Sequence, residues 1–270
     1  MSKYILYTLI ALLLPLPVSF FIVAFIYRKR VVRTLRKVLT VLLLSLVLIT
    51  ATVFSYLLPY AKAKEEAISA LKTDEILSYE ETDHYYAFRN KRSDTVLVFY
   101  PGARIDEKAY SVLAKTIGEA NIDVYVIKAP FHLPLFCINA PDRIISENDY
   151  KHIYISGHSL GGAIASIYAA ENSDKLDGII MLASYPSKAI SDDIGYLSIY
   201  GDKDGLLQKD AYEKRKENWP VNSYEYVIEG GNHSGFGLYG KQKGDNDADI
   251  SNNQQIEICA KLIIEFIIGH

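Results

Sequence analysis

The residue best suited to covalent chemistry is a serine within a glycine-rich turn. Ser159 lies in the run Gly-His-Ser-Leu-Gly-Gly at 157–162, between a strand-like and a helix-like stretch. In that setting a Gly-x-Ser-x-Gly turn exposes the serine hydroxyl, and Gly157 and Gly161 let the neighbouring strand and helix approach. The helix N-terminus that follows favours negative charge on the reacting atoms. The pattern predicts that Ser159 is a nucleophile, and the alternative is a turn that only joins strand to helix.

A serine hydroxyl is a weak nucleophile unless a base takes its proton and a third group orients that base. We predict His233 as the base, because it follows the last strand-like stretch in Gly-Gly-Asn-His at 230–233. We predict Asp204 as the orienting acid, from Gly-Asp-Lys-Asp-Gly at 201–205. Asp202 is the alternative acid, and we expect it to shape the turn. Serine, acid and histidine then follow one another along the chain.

Five other histidines compete for the role of base. His158 adjoins the serine, but we expect it to point away along the turn. His84, His152 and His270 lie in strand or terminal contexts, where a solvated or packed imidazole is expected. His132 follows a predicted strand and could line the site.

Two backbone N–H groups are predicted to stabilise the oxyanion that forms when the serine attacks. One belongs to Leu160, the residue after the nucleophile. The other is assigned to Ala103, in the Pro-Gly-Ala turn that follows the strand-like residues 95–100. The alternative for this second segment is an ordinary turn with no chemical role.

The elements that must position these residues alternate between strands and helices. Predicted strands cover 85–89, 95–100, 123–128, 152–156, 178–182, 196–200 and 224–228, and predicted helices cover 107–120, 138–148, 160–171, 206–218 and 254–268. This order predicts an α/β fold with a mostly parallel sheet covered by helices on both faces. In such sheets ligands bind beyond the carboxyl ends of the strands, where the predicted residues lie.

Four motifs together resemble the α/β-hydrolase superfamily over about residues 85–270. They are Tyr-Pro-Gly-Ala at 100–103, the serine motif at 157–162, the acid motif at 201–205 and Gly-Asn-His-Ser-Gly-Phe-Gly-Leu-Tyr-Gly at 231–240. More narrowly, they resemble a small membrane-anchored bacterial group related to dienelactone hydrolase-like enzymes. The resemblance implies an α/β-hydrolase fold of about eight strands and cleavage of carboxylic esters or related acyl bonds through an acyl-serine. It further implies Ser159, Asp204 and His233 as the triad, a small acyl substrate, and neither metal nor organic cofactor.

Three other features bear on the site. The connection Ser184–Gly195 is short, so we expect no large lid and a shallow site. The polar, glycine-rich stretch 236–249 either folds over the pocket or forms a solvated loop. Cys137 and Cys259 are expected to be unpaired, buried thiols.

The N-terminal residues 1–61 predict a transmembrane helical hairpin. The stretches 4–27 and 38–61 are each 24 residues long and contain no charged residue, so as helices each is about 36 Å long against a hydrocarbon core of roughly 30 Å. The loop 28–37 holds six basic residues and no acid. A cleaved signal peptide is the alternative, but the first apolar run is too long and a second follows directly.

The charge distribution sets the orientation and excludes some classes of protein. Residues 1–60 hold seven Lys or Arg and no acid, whereas 61–270 hold 22 basic and 32 acidic residues. The basic loop should stay in the cytoplasm, which places the hydrolase domain, 62–270, outside the cell. An acidic folded domain argues against nucleic acid as a partner. With two cysteines, the chain is neither a disulfide-stapled domain nor a cysteine-rich zinc protein.

These features predict a membrane-anchored, two-span serine hydrolase that faces the cell exterior and acts on a small-molecule acyl substrate. Esters, thioesters and small amides share this apparatus. The alternative is a non-catalytic, hydrolase-like ectodomain that binds a ligand or a protein partner. An intact serine, acid and histidine in order favours the enzyme.

Overall fold

The computed structural model describes residues 15–27, 34–57 and 59–269. The chain divides into two compact units, Met1–Pro59 and Tyr60–His270, which we call the first and second unit. The first unit holds two apolar helices in its described residues. The second unit holds the sheet and all the predicted site residues. His270, one of the competing histidines, lies outside the described residues.

The helices of the first unit are α1, Pro15–Tyr27, and α2, Thr34–Leu57, and they contact each other. Within α2, Arg36–Val53 is long and apolar enough to cross a membrane, by length and composition only, whereas the apolar stretch Pro17–Tyr27 is shorter. Of the predicted hairpin, residues 4–14, most of the basic loop (28–33) and residue 58 lie outside the described residues.

The second apolar helix ends at Leu57, before the end of the predicted span. Ala61, placed in that span by the sequence, belongs to the second unit and forms a parallel bridge with Ile105. Its N–H donates to the Arg104 carbonyl at 2.8 Å, and its carbonyl accepts from the Asp106 N–H at 2.9 Å. These bonds satisfy backbone groups that a continuing helix would use internally.

The second unit is built on one sheet of eight strands, which confirms the predicted α/β-hydrolase fold. The strands are β1 Ser78–Glu81, β2 Tyr85–Arg89, β3 Thr95–Tyr100, β4 Asp123–Ile127, β5 His152–His158, β6 Gly178–Leu182, β7 Gly195–Gly201 and β8 Ser223–Ile228. Their order is β1-β2-β4-β3-β5-β6-β7-β8, with β2 antiparallel to both its neighbours and all other pairs parallel. The sequence missed β1 because Ser-Tyr-Glu-Glu at the sheet edge has no apolar alternation.

Helices cover both faces of this sheet, as predicted. They are α3 Glu65–Ala70, α4 Ser111–Gly118, α5 Ala140–Ser146, α6 Leu160–Glu171, α7 Lys209–Arg215 and α8 Asn252–Gly269. The core on one face includes residues of α3, α4 and α8, and the core on the other includes residues of α5 and α6. Together the two cores bury the apolar residues of β3, β4, β5 and β6 almost completely.

Two helices begin later than the sequence predicts. The region 107–120 starts as a 3-10 turn, Glu107–Tyr110, before α4. The region 206–218 becomes helical only at Lys209. The N–H groups of Leu206 and Leu207 instead donate to the Asp204 carboxylate at 2.8 and 2.7 Å, so this segment forms a turn around the predicted acid.

Candidate active site

Ser159 occupies the turn between β5 and α6 in a strained backbone conformation. Its φ is 54° and its ψ is −122°, a region that residues with a Cβ rarely adopt and that commonly marks functional sites. Its N–H donates to the Leu182 carbonyl at the end of β6, at 2.9 Å. The turn therefore fixes Ser159 at the carboxyl edge of the sheet.

Two glycines make this turn possible. A Cβ on Gly157 would lie 2.4 Å from the backbone of Gly161. A Cβ on Gly161 would lie 2.3 Å from the carbonyl oxygens of Tyr100 and Pro101. The start of α6 therefore packs directly against the backbone that leaves β3, which brings the loop 101–103 beside Ser159.

Asp204 and His233 form a buried hydrogen-bonded pair. The Nδ1 of His233 lies 2.8 Å from Oδ2 of Asp204, and the two side chains are 5% and 0% exposed. A carboxylate only accepts hydrogen bonds, so Nδ1 carries the proton and Nε2 is left able to accept one. Asp202 makes a different contact, accepting the Gly230 N–H at 2.7 Å.

Ser159, Leu160 and His233 line one cavity of about 230 Å³. The other lining residues are Ala163, Ala183, Ser184, Tyr185, Leu206, Leu207 and Gln208. In the part of the chain that the structure describes, no hydrogen bond joins the Ser159 hydroxyl to His233; such contacts commonly tighten only when substrate binds. A larger cavity of about 550 Å³ lies around Phe136 and Arg143, but neither Ser159 nor His233 lines it.

The two predicted oxyanion donors occupy different positions. Leu160 is the first residue of α6 and lines the cavity, and the first N–H groups of a helix have no partner within the helix. Ala103 lies in the loop after β3 and is not among the residues that line this cavity. The neighbouring Gly102 N–H is already used, since it donates to the Tyr110 hydroxyl at 3.0 Å.

The other described histidines all lie away from the cavity lining. His84 and His152 are exposed. His132, which the sequence suggests could line the site, has its Nδ1 3.1 Å from Glu107 Oε2 and its ring 3.9 Å from that of Tyr60. His158 is fully buried behind the site and contacts Tyr110 and His233.

The stretch 236–249 is buried at its start and at Asp245, the rest of 240–249 is exposed or half-buried, and none of its residues lines the pocket. Phe236, Leu238 and Tyr239 are buried, and Asp245 is 6% exposed. The Asp245 carboxylate accepts hydrogen bonds from the N–H groups of Gly205 (3.1 Å) and His233 (3.4 Å), and from both the N–H and the hydroxyl of Ser234. It therefore links the turn that carries the acid to the turn that carries the base.

Neither Asp245 nor a second supporting residue, Gln255, was predicted from the sequence. Gln255 on α8 is fully buried; its side chain accepts the Asn232 N–H at 3.0 Å and donates to the Asn232 carbonyl at 2.8 Å. Burial raises the pKa of Asp245, but hydrogen bonds from Ser234, Gly205 and His233 outweigh it, so the pKa is lowered. A run such as Gly-Asp-Asn-Asp-Ala-Asp carries no sequence signal that distinguishes a buried aspartate from solvated ones.

Neither cysteine takes part in the site. Cys137 is half-buried and Cys259 is buried, and both are unpaired. Burial raises the pKa of Cys137 to about 11 and raises that of Cys259 as well, which makes both thiols poor nucleophiles. Within the described ranges, no cluster of three or more His, Cys, Asp or Glu side chains is arranged to hold a metal ion.

The fold matches that of known proteins. The family model described as "Alpha/beta hydrolase family" matches residues 96–257. A dienelactone hydrolase from Anabaena variabilis is similar in structure, with a TM-score of 0.55 at 12% identity over 72% of this chain and 98% of that one. A monoacylglycerol lipase from Paleococcus ferrophilus has a TM-score of 0.52 at 14% identity over 67% and 99% of the two chains.

Est1E from Butyrivibrio proteoclasticus has a TM-score of 0.50 at 15% identity and covers 72% of this chain and 98% of its own. At these identities the likeness shows the fold alone. No curated protein sequence matches the chain.

Proposed function

Because the chain belongs to the alpha/beta hydrolase family, we propose that it is a membrane-anchored serine hydrolase that cleaves carboxylic esters or related acyl bonds. Ser159 is the nucleophile, His233 the base and Asp204 the orienting acid. The observation that carries this proposal is the buried 2.8 Å contact between Asp204 and His233 beside a cavity that His233 shares with Ser159.

Acylation begins when the Ser159 hydroxyl attacks the carbonyl carbon of the substrate and His233 Nε2 takes the hydroxyl proton. The resulting imidazolium is stabilised by Asp204, which accepts from Nδ1 and is itself held by the N–H groups of Leu206 and Leu207. Burial strengthens this electrostatic contact, since little water screens it. His233 then gives its proton to the leaving oxygen as the carbonyl re-forms.

Deacylation repeats these steps with water as the nucleophile. His233 takes a proton from the water, which attacks the acyl-serine, and then returns a proton to Ser159. In both steps the N–H groups of Leu160 and Ala103 donate to the oxyanion. The close packing of Pro101 on Gly161 leaves the loop 101–103, which carries the Ala103 N–H, next to the nucleophile.

The size and lining of the cavity support a short, uncharged acyl group. Its volume of about 230 Å³ lies below the roughly 300–1,000 Å³ of pockets that enclose drug-sized ligands. Leucine and alanine side chains form much of its wall, and among the described residues no Lys, Arg, Asp or Glu lines it. No helix or strand forms in the described connection between β6 and β7, where many related enzymes carry a lid.

The hydrolase domain, 62–270, is anchored through two membrane spans, one within 4–27 and one that begins at residue 38 and ends with α2 at Leu57, and it faces outward. The apolar window Arg36–Val53 supports one span, and the basic loop 28–37 supports a cytoplasmic hairpin turn. A periplasm-active or surface-active reporter fused after His270 tests the orientation. Activity of a cytoplasm-specific reporter at the same position would contradict it and leave the chemistry untouched.

A panel of p-nitrophenyl esters tests the chemistry. The full chain, in detergent or nanodiscs, should hydrolyse the acetate and butyrate esters, and Ser159→Ala should lose at least about 10³-fold in kcat. Ser184→Ala is the matched control, because Ser184 lines the same cavity and should retain activity. A folded wild-type chain that hydrolyses none of these esters and no aminoacyl amide favours the non-catalytic ectodomain.

A further inference from the structure

A continuous chain of buried hydrogen bonds runs behind the candidate active site. The Gly102 N–H lies 3.0 Å from the Tyr110 hydroxyl oxygen, and that oxygen lies 2.8 Å from Nδ1 of His158. On its other side, Nε2 of His158 lies 3.0 Å from the backbone carbonyl of His233. Tyr110 and His158 are 1% and 0% exposed, so water cannot replace any of these partners.

Elementary chemistry fixes the direction of every bond in this chain. A carbonyl oxygen only accepts, so the Nε2 of His158 must carry a proton and donate to His233. The neutral ring then has a bare Nδ1, which accepts the Tyr110 hydroxyl proton. The tyrosine oxygen keeps a lone pair for the Gly102 N–H. One tautomer and one hydroxyl orientation satisfy all the groups at once.

His158 is held in the neutral form that this arrangement needs. Burial, and to a smaller extent the neighbouring His233, lower the pKa of His158 well below its usual value. Burial also raises the pKa of Tyr110, so its hydroxyl keeps its proton. The faces of the imidazole are packed as well, with the ring of Phe236 at 5.5 Å and that of His233 at 4.8 Å.

This chain of hydrogen bonds reaches the oxyanion loop (residues 101–103), the nucleophile and the base, but it does not enter the cavity. Gly102 adjoins Ala103 in the oxyanion loop, His158 adjoins the nucleophile, and the accepting carbonyl belongs to the base itself. These groups are tightly packed, since a Cβ on Gly102 would lie 2.9 Å from His158 Nδ1 and 3.0 Å from the Tyr110 hydroxyl. A displacement of the loop 101–103 should therefore also displace His158 and the backbone of His233.

We propose that Tyr110 and His158 are positioning residues that hold the oxyanion loop, Ser159 and the His233 turn at the spacing that the acyl-transfer step requires. This inference rests on the proposed function. Neither side chain contacts substrate, so their loss should lower kcat and leave KM nearly unchanged. Misplacing reacting groups by about 1 Å costs about 100-fold in rate.

Tyr110→Phe tests the proposal because it keeps the ring and removes only the hydroxyl. In the full chain, kcat for p-nitrophenyl acetate should fall about 10- to 100-fold, with KM changed less than about twofold. Tyr168→Phe is the matched control, since Tyr168 is also fully buried and its hydroxyl donates to Asp142 at 2.8 Å, outside the site. Equal kcat in the two variants, or a fall confined to KM, overturns the inference.

Two substitutions of His158 distinguish a positioning role from a general contribution to stability. His158→Gln keeps a side-chain N–H that can reach the His233 carbonyl, whereas His158→Ala keeps none. The glutamine variant should retain at least about fivefold more kcat than the alanine variant, which is a modest share of the expected positioning effect. Equal residual activity in two folded variants contradicts the proposal.

A spectroscopic measurement on the wild-type protein tests the proposal even if the variants do not fold. With ¹⁵N-labelled histidine, the His158 ring should show a protonated Nε2 and an unprotonated Nδ1 from about pH 6.5 to 9, because its pKa is lowered well below the usual value of about 6.5. Titration of His158 in that range, or a protonated Nδ1, overturns the inference. An inactive wild type overturns the proposed function, whereas an active wild type matched by Tyr110→Phe overturns only this inference.

Discussion

Asp245 and Ser234 are joined by two hydrogen bonds to a single carboxylate oxygen. Oδ2 of Asp245 accepts the Ser234 N–H at 2.8 Å and the Ser234 hydroxyl at 2.6 Å. Ser234 directly follows the proposed base, and the other oxygen of the same carboxylate accepts from the Gly205 N–H, next to the proposed acid. One buried side chain, twelve residues beyond His233, therefore holds the two turns of the triad together.

Asp245→Asn should destabilise the fold and slow catalysis. The amide offers one acceptor oxygen, so its NH₂ group must face either the donors of Ser234 or those of Gly205 and His233. Leaving such buried donors unpaired costs about 1–3 kcal/mol, and we expect kcat to fall at least about tenfold through misplacement of His233. Denaturant unfolding and kcat measure the two effects.

Asp247→Asn is the control for this change. Asp247 lies in the same loop with its side chain 94% exposed and paired with Lys241, so its substitution should alter the free energy of unfolding by less than about 0.5 kcal/mol. Equal effects of the two substitutions would show that Asp245 does not support the site.

The lowered pKa of Asp245 predicts an acid-dependent loss of stability. Its pKa is lower in the folded chain than the usual 3.8, so its ionised form stabilises the fold above that pH. This contribution is lost as the pH falls through the lower, folded value. Unfolding of wild type should therefore become easier below about pH 4, and this acid dependence should be weaker in Asp245→Asn. Identical pH slopes for the two proteins would contradict the assignment.

The positions of the strand-end residues could be predicted from the sequence better than the contacts behind them. The serine and acid turns follow mostly buried apolar strands, and the base turn follows a strand rich in tyrosine and β-branched residues. The supports Tyr110, Asp245 and Gln255 come from a 3-10 turn, a polar loop and the C-terminal helix, and only tertiary packing brings them to the site. Their residue types also occur on solvated surfaces, so one sequence could not single them out.

The contacts of His158 also could not be predicted from the sequence, although its position beside Ser159 was evident. Its place beside Ser159 suggested only that it points away along the turn, which agrees with its position behind the cavity. Its partners lie 48 and 75 residues away, beyond the reach of any local pattern. Likewise, the end of α2 could not be read from hydropathy, because the Ala61 pairing with Ile105 depends on the folded second unit.

Gly157→Ala should damage the turn that carries the nucleophile. The added Cβ would lie 2.4 Å from Gly161 backbone atoms, and backbone cannot yield as a flexible side chain can. We expect a loss of about 1–3 kcal/mol in the free energy of unfolding or a failure to fold, together with loss of esterase activity. Gly269→Ala is the control, because a Cβ there meets nothing within 4 Å. Full activity in Gly157→Ala would contradict the account of the turn.

Leu206→Ala should shift the preference for acyl chain length. Leu206 lines the cavity of about 230 Å³, so its truncation gives room for one or two more methylene groups, each worth about 0.8 kcal/mol when buried. The ratio of kcat/KM for the hexanoate ester to that for the butyrate ester should rise about tenfold. Val221→Ala, at an 84% exposed position away from the cavity, should leave the ratio unchanged. An unchanged ratio in Leu206→Ala would show that the acyl group binds elsewhere.

Asp204→Asn tests the choice between the two aspartates. The variant loses the carboxylate that fixes the His233 tautomer, and a loss of about 10³- to 10⁴-fold in kcat is expected for a triad acid. Asp202→Asn keeps an oxygen that can accept the Gly230 N–H and removes the charge, so it should cost less than about tenfold, since even one lost neutral hydrogen bond contributes only about 1 kcal/mol. The reverse ranking would reassign the acid to Asp202.

The central claim is that His233 activates the hydroxyl of Ser159, and the rate of covalent labelling measures it most directly. The full chain is treated with a fluorophosphonate, the adduct is located by peptide mass spectrometry, and its rate constant is compared with that of His233→Gln. The account predicts a single adduct on Ser159 that forms at least about 10³-fold more slowly in the variant. An adduct on another residue, or equal rates in the two folded proteins, would contradict it.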